Sequence, residues 1–149
     1  MVVDQLPSGE YRMIVGSFEH TDPPPSDTWQ ITEWRSPDQL NWTYTGPVLT
    51  TRDMPTGAQG SIYSPTIVAI APGLWRMIFT ADDRHSDTFR SALWSAVSTD
   101  KKNWQLEGEV MGALRTDLYY ASLAGNHLYL LRQDEDGLVR LGVATIDQR

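Results

Sequence analysis

The sequence predicts an all-β fold built from repeated four-stranded antiparallel sheets, the architecture of a β-propeller. Three observations lead to this prediction. Two motifs recur with nearly the same period, alternating apolar and polar residues form runs of strand length, and turn residues separate these runs. Repeating units made of short strands are typical of propeller blades, and no stretch of helical periodicity with capping residues interrupts them.

The first motif is a turn that contains Pro and Gly, followed by an aromatic residue, Arg, Met and Ile. It begins a strand at Tyr11 and again at Trp75, a period of 64 residues. Pro and Gly favour tight turns because one fixes φ and the other tolerates positive φ. Each copy therefore predicts a strand end, a turn and the start of the next strand.

The second motif reads Ser-x-Asp-x-x-Asn-Trp and begins at Ser36 and at Ser98, a period of 62 residues. An Asp in a tight turn accepts hydrogen bonds from backbone N–H groups just downstream, and Ser can do likewise. The Trp then begins a strand and packs between neighbouring sheets. The residues predicted to have this structural role are Asp38, Asp100, Trp42 and Trp104.

A weaker third copy follows, with strand-like runs at 118–123, 127–131 and 138–146. We expect one domain, residues 1–149, of about three blades that span 1–50, 51–112 and 113–149. In this alignment the chain begins inside an innermost strand, and the last blade is incomplete. Because so few blades cannot close a ring and would leave strand edges open, we expect a homodimer with about six sheets, formed through exposed blade edges.

Composition excludes several classes of protein. The net charge is −7 and Lys and Arg form no stripe, so a nucleic-acid partner is not expected. No run approaches the roughly 20 apolar residues of a membrane-spanning helix. The absence of Cys excludes disulfides and thiolate ligands. Without a basic and apolar leader segment, a cytoplasmic bacterial protein is the expectation, and an exported mature form stays open.

The segment Ser64-Pro65-Thr66-Ile67-Val68, together with the two motifs, resembles the blades of five-bladed glycoside hydrolase propellers of families 43, 32, 62 and 68. The Asp-containing turn resembles the Asp-box of sialidases. The resemblance implies a carbohydrate-related function. If the protein is an enzyme, it implies a glycosidase-like hydrolase with paired carboxylates, one acting as acid and the other as base or nucleophile.

Carried over residue by residue, the family 43 carboxylates are not matched. The first Asp would precede Val2, the second falls at Thr66, and the Glu falls near Thr116 and Asp117. A threonine cannot take up a proton as a carboxylate does. Asp117 is therefore the plausible match, and an acid from Asp82 or Asp83 is the candidate for its partner.

Polar residues collect in the loops between the second and third strands and in the connections between blades, which share one rim of a propeller. The predicted catalytic residues are Asp82, Asp83 and Asp117. The predicted substrate-binding residues are Glu19, His20, Arg52, Tyr63, Arg84, His85, Arg115 and Tyr119. No cofactor or metal is predicted, because the loops with His20 and His85 offer no fixed ligand spacing, although imidazole and carboxylate suit Zn or Mn.

The function predicted from these features is binding of a carbohydrate or similar polyhydroxylated small molecule in a pocket on the central face, with glycoside hydrolysis as the associated chemistry. Two alternatives stay open at this point. One is a biosynthetic isomerase or cyclase in which a His/Asp pair moves a proton. The other is a non-catalytic interaction or lectin-like module.

Overall fold

The computed structural model describes residues 1–18, 29–55, 60–82, 91–114, 118–124, 127–133 and 136–145 of the chain. These residues form β-strands and one short 3-10 turn at Thr51–Asp53, with no α-helix among them. The strands are β1 (Val2–Gln5), β2 (Tyr11–Phe18), β3 (Trp29–Ser36), β4 (Thr43–Leu49), β5 (Ser61–Ala71), β6 (Leu74–Asp82), β7 (Ser91–Ser98), β8 (Gln105–Leu114), β9 (Leu118–Ala124), β10 (His127–Gln133) and β11 (Val139–Thr145).

The strands form three antiparallel sheets in which neighbours in sequence are neighbours in space. Blade 1 has the order β1-β2-β3-β4, blade 2 has β5-β6-β7-β8, and the described part of blade 3 has β9-β10-β11. The predicted all-β fold of about three antiparallel blades is confirmed. The recurring motif takes the same register in both copies, since Met13 pairs with Val3 on β1 and Met77 pairs with Ile67 on β5.

The blades pack face to face through the apolar positions of their strands. Alternate residues of a strand point to opposite faces, so one strand supplies two interfaces. Ile14 and Ile31 of blade 1 pack with Met77 and Phe79 of blade 2 in one buried cluster. The opposite face of blade 2 packs against blade 3 in a second cluster, whose members are Ile78, Leu93, Ala121, Leu128 and Leu130.

The two Asp-containing turns have the same hydrogen bonds. Asp38 Oδ1 accepts bonds from the backbone N–H of Leu40 at 2.9 Å and of Asn41 at 2.8 Å. Asp100 Oδ1 accepts the corresponding bonds from Lys102 and Asn103, both at 2.8 Å. Each Asp also accepts a bond from the Ser two residues earlier, at 3.0 Å and 2.9 Å. These bonds hold each turn in one conformation.

A partly buried ion cluster joins blade 1 to the turn of blade 2. The Arg12 guanidinium, 3% exposed, donates to both oxygens of Asp4, at 2.9 Å and 2.6 Å. Lys101 Nζ lies 2.6 Å from Asp4 Oδ2 and 4.9 Å from the centre of the Trp75 ring. Burial raises the pKa of Asp4, but the hydrogen bonds from Arg12 and Lys101 outweigh it, so the pKa lies below its ordinary value.

Candidate functional site

A cluster of polar side chains is buried where the strands of blade 2 meet the loops. Asp82 is the last residue of β6, and its partners on the flanking strands are Ser61, the first residue of β5, and Ser91, the first of β7. Directly opposed residues of antiparallel strands lie on one face, as does Thr80, two residues before Asp82. We call Ser61, Thr80, Asp82 and Ser91 the Asp82 cluster.

The Asp82 cluster is polar, yet each of its members is at most 1% exposed. Ser61 Oγ accepts a hydrogen bond from the backbone N–H of Trp29 at 3.1 Å. Thr80 Oγ1 and Ser91 Oγ have no hydrogen-bond partner within the described part of the chain. A buried hydroxyl without a partner costs about 1–3 kcal/mol, so native proteins keep few of them. The cluster is therefore a candidate binding site.

The innermost strand of blade 2 is distorted beside this cluster. Tyr63 pairs with Thr80, and the register of β5 with β6 shifts between Tyr63 and Thr66. Within the shift Ser64 has φ of 54°, a left-handed conformation that costs a residue other than glycine about 1–3 kcal/mol. Such distortions re-aim side chains and are frequent next to active sites.

Gly16 of blade 1 fixes the position of Tyr63 from the other side. A Cβ atom at Gly16 would lie 3.1 Å from both Cα and Cβ of Tyr63, closer than side chains normally approach a backbone. Glycine is therefore required for β2 to approach β5 this closely. Tyr63 itself is half-buried and lies beside the Asp82 cluster.

The structure brings together two of the residues predicted from the sequence, Asp82 and Tyr63. Arg52 lies exposed in the 3-10 turn, and the structure describes only the backbone of Tyr119, in β9. Thr66, the position of the second family 43 Asp, pairs with Ile78 in the strand next to the distortion. The predicted residues that lie outside the described part of the chain are Glu19, His20, Asp83, Arg84, His85, Arg115 and Asp117.

Sequence reasoning missed the three hydroxyl residues of the Asp82 cluster. Ser61 and Ser91 stand at strand ends, where a serine usually indicates a turn. Thr80 interrupts the apolar run of β6, and this was the available signal, because a polar residue at an inward strand position must find a partner or a ligand. Recognising it requires the register of β6, which the sequence does not define.

A second concavity lies between the outer strands of blades 1 and 2. This outer groove has a volume of about 380 Å³ and is lined by residues of β4, of the turn before β8 and of β8 itself, together with Asp53. Trp104 is one of the lining residues, and its indole Nε1 is buried without a hydrogen-bond partner among the described residues. Asp53 is engaged there in bonds from the backbone N–H and hydroxyl of Thr50, both 2.8 Å.

Within the described ranges, no three His, Asp or Glu side chains lie close enough together to hold a metal ion. The same part of the chain contains no helix that is long and apolar enough to cross a membrane.

The chain matches no protein-family model and no curated protein. It matches solved structures, among them a family 117 glycoside hydrolase of the marine bacterium Zobellia galactanivorans, with a TM-score of 0.71, 17% identity, and coverage of 95% of this chain and 49% of that one. A second match is sucrose-6-phosphate hydrolase of Lactobacillus gasseri, with a TM-score of 0.65, 17% identity, and coverage of 91% of this chain and 29% of that one. A third is an exo-1,5-α-L-arabinanase from a bovine ruminal metagenomic library, with a TM-score of 0.55, 15% identity, and coverage of 96% of this chain and 52% of that one.

This chain thus spans about half the length of two of these structures and less than a third of the other. Identities of 15–17% show the fold, and the fold is that of the glycoside hydrolase propellers. The resemblance predicted from the blade motifs is confirmed at this level.

Proposed function

We propose that this protein binds a saccharide, or a similar polyhydroxylated small molecule, at the loop end of blade 2 above the Asp82 cluster. The observation that carries the proposal is the buried Asp82 carboxylate, which lies between Ser61 and Ser91 on the flanking strands. Beside it the buried hydroxyls of Thr80 and Ser91 have no hydrogen-bond partner within the described part of the chain, and native proteins keep few such groups.

The chemistry of the cluster suits a sugar. A carboxylate accepts hydrogen bonds from two neighbouring hydroxyls, and the hydroxyls of Thr80 and Ser91 can both donate and accept. Tyr63 supplies an aromatic ring of the kind that lines ligand pockets. The oxygens of Thr80, Asp82 and Ser91 each expose less than 1 Å². A sugar therefore reaches them only when the atoms that cover them move aside.

The comparisons support a carbohydrate ligand by analogy alone, since one fold hosts many functions. The matched structures include proteins named for sucrose 6-phosphate and for 1,5-α-L-arabinan, and a β-fructofuranosidase of Bombyx mori in complex with sucrose. These names define a first set of ligands to test.

Glycoside hydrolysis is the finer form of this proposal. Asp117 would be one of two carboxylates, with Asp82 or Asp83 as the other, in the roles of acid and of base or nucleophile. The remaining predicted site residues would hold the sugar. They are Glu19, His20, Arg52, Tyr63, Arg84, His85, Arg115 and Tyr119.

The test is calorimetric titration of the protein with sucrose, sucrose 6-phosphate and a 1,5-α-L-arabino-oligosaccharide. We expect binding of at least one of them and a Kd raised about 10–100-fold in Asp82→Asn, because a hydrogen bond to a charged group contributes about 1.5–3 kcal/mol. Glu109→Gln, which changes an exposed acid on β8, is the matched control and should bind like the wild type.

Unchanged binding by Asp82→Asn would contradict the proposal, and so would loss of binding by Glu109→Gln. Should Asp82→Asn not fold, Ser91→Ala tests the same site with a smaller change. Release of reducing sugar from the bound ligand separates hydrolysis from binding alone. A bell-shaped pH dependence of the rate would indicate a pair of titrating groups.

A further inference from the structure

Blade 3 exposes an apolar face on the side away from blade 2. On β10 and β11 the even-numbered apolar residues pack inward, and the odd-numbered ones point outward in directly opposed pairs, Tyr129 with Val143 and Leu131 with Leu141. These side chains are 37–65% exposed. Monomeric proteins rarely leave a contiguous apolar sheet face open to water. The outer face of blade 3 consists of Tyr129, Leu131, Val139, Leu141 and Val143.

Blade 1 has an open face of its own, on the side away from blade 2. One row of apolar residues crosses all four strands, with Val3 paired to Met13, Met13 to Trp34, and Trp34 to Tyr44. Val3 is 42% exposed, and the other three are half-buried. No other part of the described chain forms a sheet against this row. The outer face of blade 1 is this row together with Val15.

The equivalent face of blade 2 shows what packs against a face of this kind. The same positions of blade 2 form the row Ile67, Met77, Ala96 and Leu106, paired across the strands in the same way. That row lies in the buried cluster between blades 1 and 2. In blade 2 the face is therefore covered by the preceding blade, and its counterpart in blade 1 is built to be covered by a blade as well.

We propose that the outer face of blade 3 packs on the outer face of blade 1 of a second copy of this chain. The contact continues the packing that joins blades 1 and 2, and both faces are free of charged side chains at the residues named. Two copies make the contact twice and close a ring of six sheets about a two-fold axis. This inference is independent of the proposed saccharide site.

The test is the solution mass of the chain, measured by size-exclusion chromatography with light scattering. We expect twice the 16.8 kDa of one chain. Val3→Lys and Val143→Lys place a charge in the two faces at exposed positions, which leaves the fold of one chain unchanged. Each should shift the mass to that of the monomer, with the dimer Kd raised at least 100-fold. Circular dichroism confirms that the variants are folded.

Val110→Lys is the matched control. Val110 is also exposed, at 43%, but it lies on β8 of blade 2, the outer edge of the middle sheet. This variant should remain a dimer. A monomeric wild type, or an assembly larger than a dimer, would overturn the proposal. A dimer that Val143→Lys disrupts and Val3→Lys does not would overturn it too, because blade 3 would then pair with itself.

Discussion

At the scale of single residues, Gly16 and Tyr63 determine how closely blade 1 approaches blade 2. The backbone atoms that a Cβ at Gly16 would meet cannot rotate away, so the contact must open. We expect Gly16→Ala to lower the free energy of unfolding by about 1–3 kcal/mol, the usual cost of overpacking. Thermal unfolding measures the change, at roughly 2–4 °C for each kcal/mol.

Gly142→Ala is the control for this variant, since its Cβ would lie 3.8 Å from Leu130 Cβ, an ordinary contact. It should leave the unfolding midpoint nearly unchanged. Equal effects of the two substitutions would show that the loss of glycine, and not the approach to Tyr63, explains the change.

Arg12 and Arg76 occupy the same repeat position but have different surroundings. Arg12 is 3% exposed, and it donates hydrogen bonds to Asp4 of its own blade and to the Lys101 carbonyl of blade 2. Arg76 is 25% exposed and forms an ion pair with Glu107. We expect Arg12→Met to cost about 1–3 kcal/mol, because Asp4 loses two hydrogen bonds from the buried guanidinium and keeps its pair with Lys101. Arg76→Met should cost less than about 1 kcal/mol.

Urea denaturation of both variants measures this difference. Similar losses would show that the repeat position, and not the contact between blades, makes Arg12 important.

The site could be predicted from the sequence only in part, for reasons visible at this scale. Asp82 and Tyr63 were predicted as site residues because an acid in a loop and an aromatic residue near a connection between blades are recognisable types. Ser61 and Ser91 were not, because the place of Ser61 opposite Asp82 depends on a register that bulges shift, and that of Ser91 depends on where β7 begins. Lys101 reaches Asp4 across 97 residues of sequence, and no local pattern indicates a partner so distant.

At the scale of elements, the two Asp-containing turns give the fold a dependence on pH. The pKa of Asp38 lies well below its usual range, because its carboxylate accepts hydrogen bonds from the backbone and side chain of Asn41 and from the backbone of Leu40. The pKa of Asp100 is lowered in the same way by the backbone N–H groups of Asn103 and Lys102 and by the Asn103 side chain. A carboxyl whose pKa is lower in the folded state stabilises the fold above its unfolded pKa of about 3.9. That stabilisation is lost as the pH falls toward the folded pKa.

We therefore expect Asp100→Asn to be less stable than the wild type at pH 7, with a difference that shrinks as the pH is lowered from about 5 to 2. Urea denaturation at a series of pH values measures it. Glu109→Gln, which changes an exposed carboxylate on β8, should show no such convergence. A difference for Asp100→Asn that stays constant with pH would contradict this role of the turn.

The strands themselves were the most predictable elements. The two repeated motifs indicated matching strands and turns in blades 1 and 2, and both copies take the same register. The shift between Tyr63 and Thr66 could not be read from the sequence, because Ser64 is not a residue type that indicates positive φ. Bulges arise from packing between blades, which local propensity does not encode.

At the scale of the whole molecule, face-to-face packing of blades explains both proposals. The face of blade 2 toward blade 3 carries Ile78 and Leu93 in its middle and Thr80 and Asp82 at its loop end. The same sheet thus supplies an apolar contact and a polar site. The outer faces of blades 1 and 3 continue the series of contacts, and a second copy would complete it.

Chemical-shift mapping would show whether the loop end of blade 2 binds a saccharide. Amide spectra of the isotope-labelled protein would be recorded during titration with whichever saccharide of the set binds. We expect the largest shift changes on the Asp82 cluster, Ser61, Thr80, Asp82 and Ser91, and on Tyr63. Changes confined to Val48, Lys102 and Trp104 of the outer groove would contradict it.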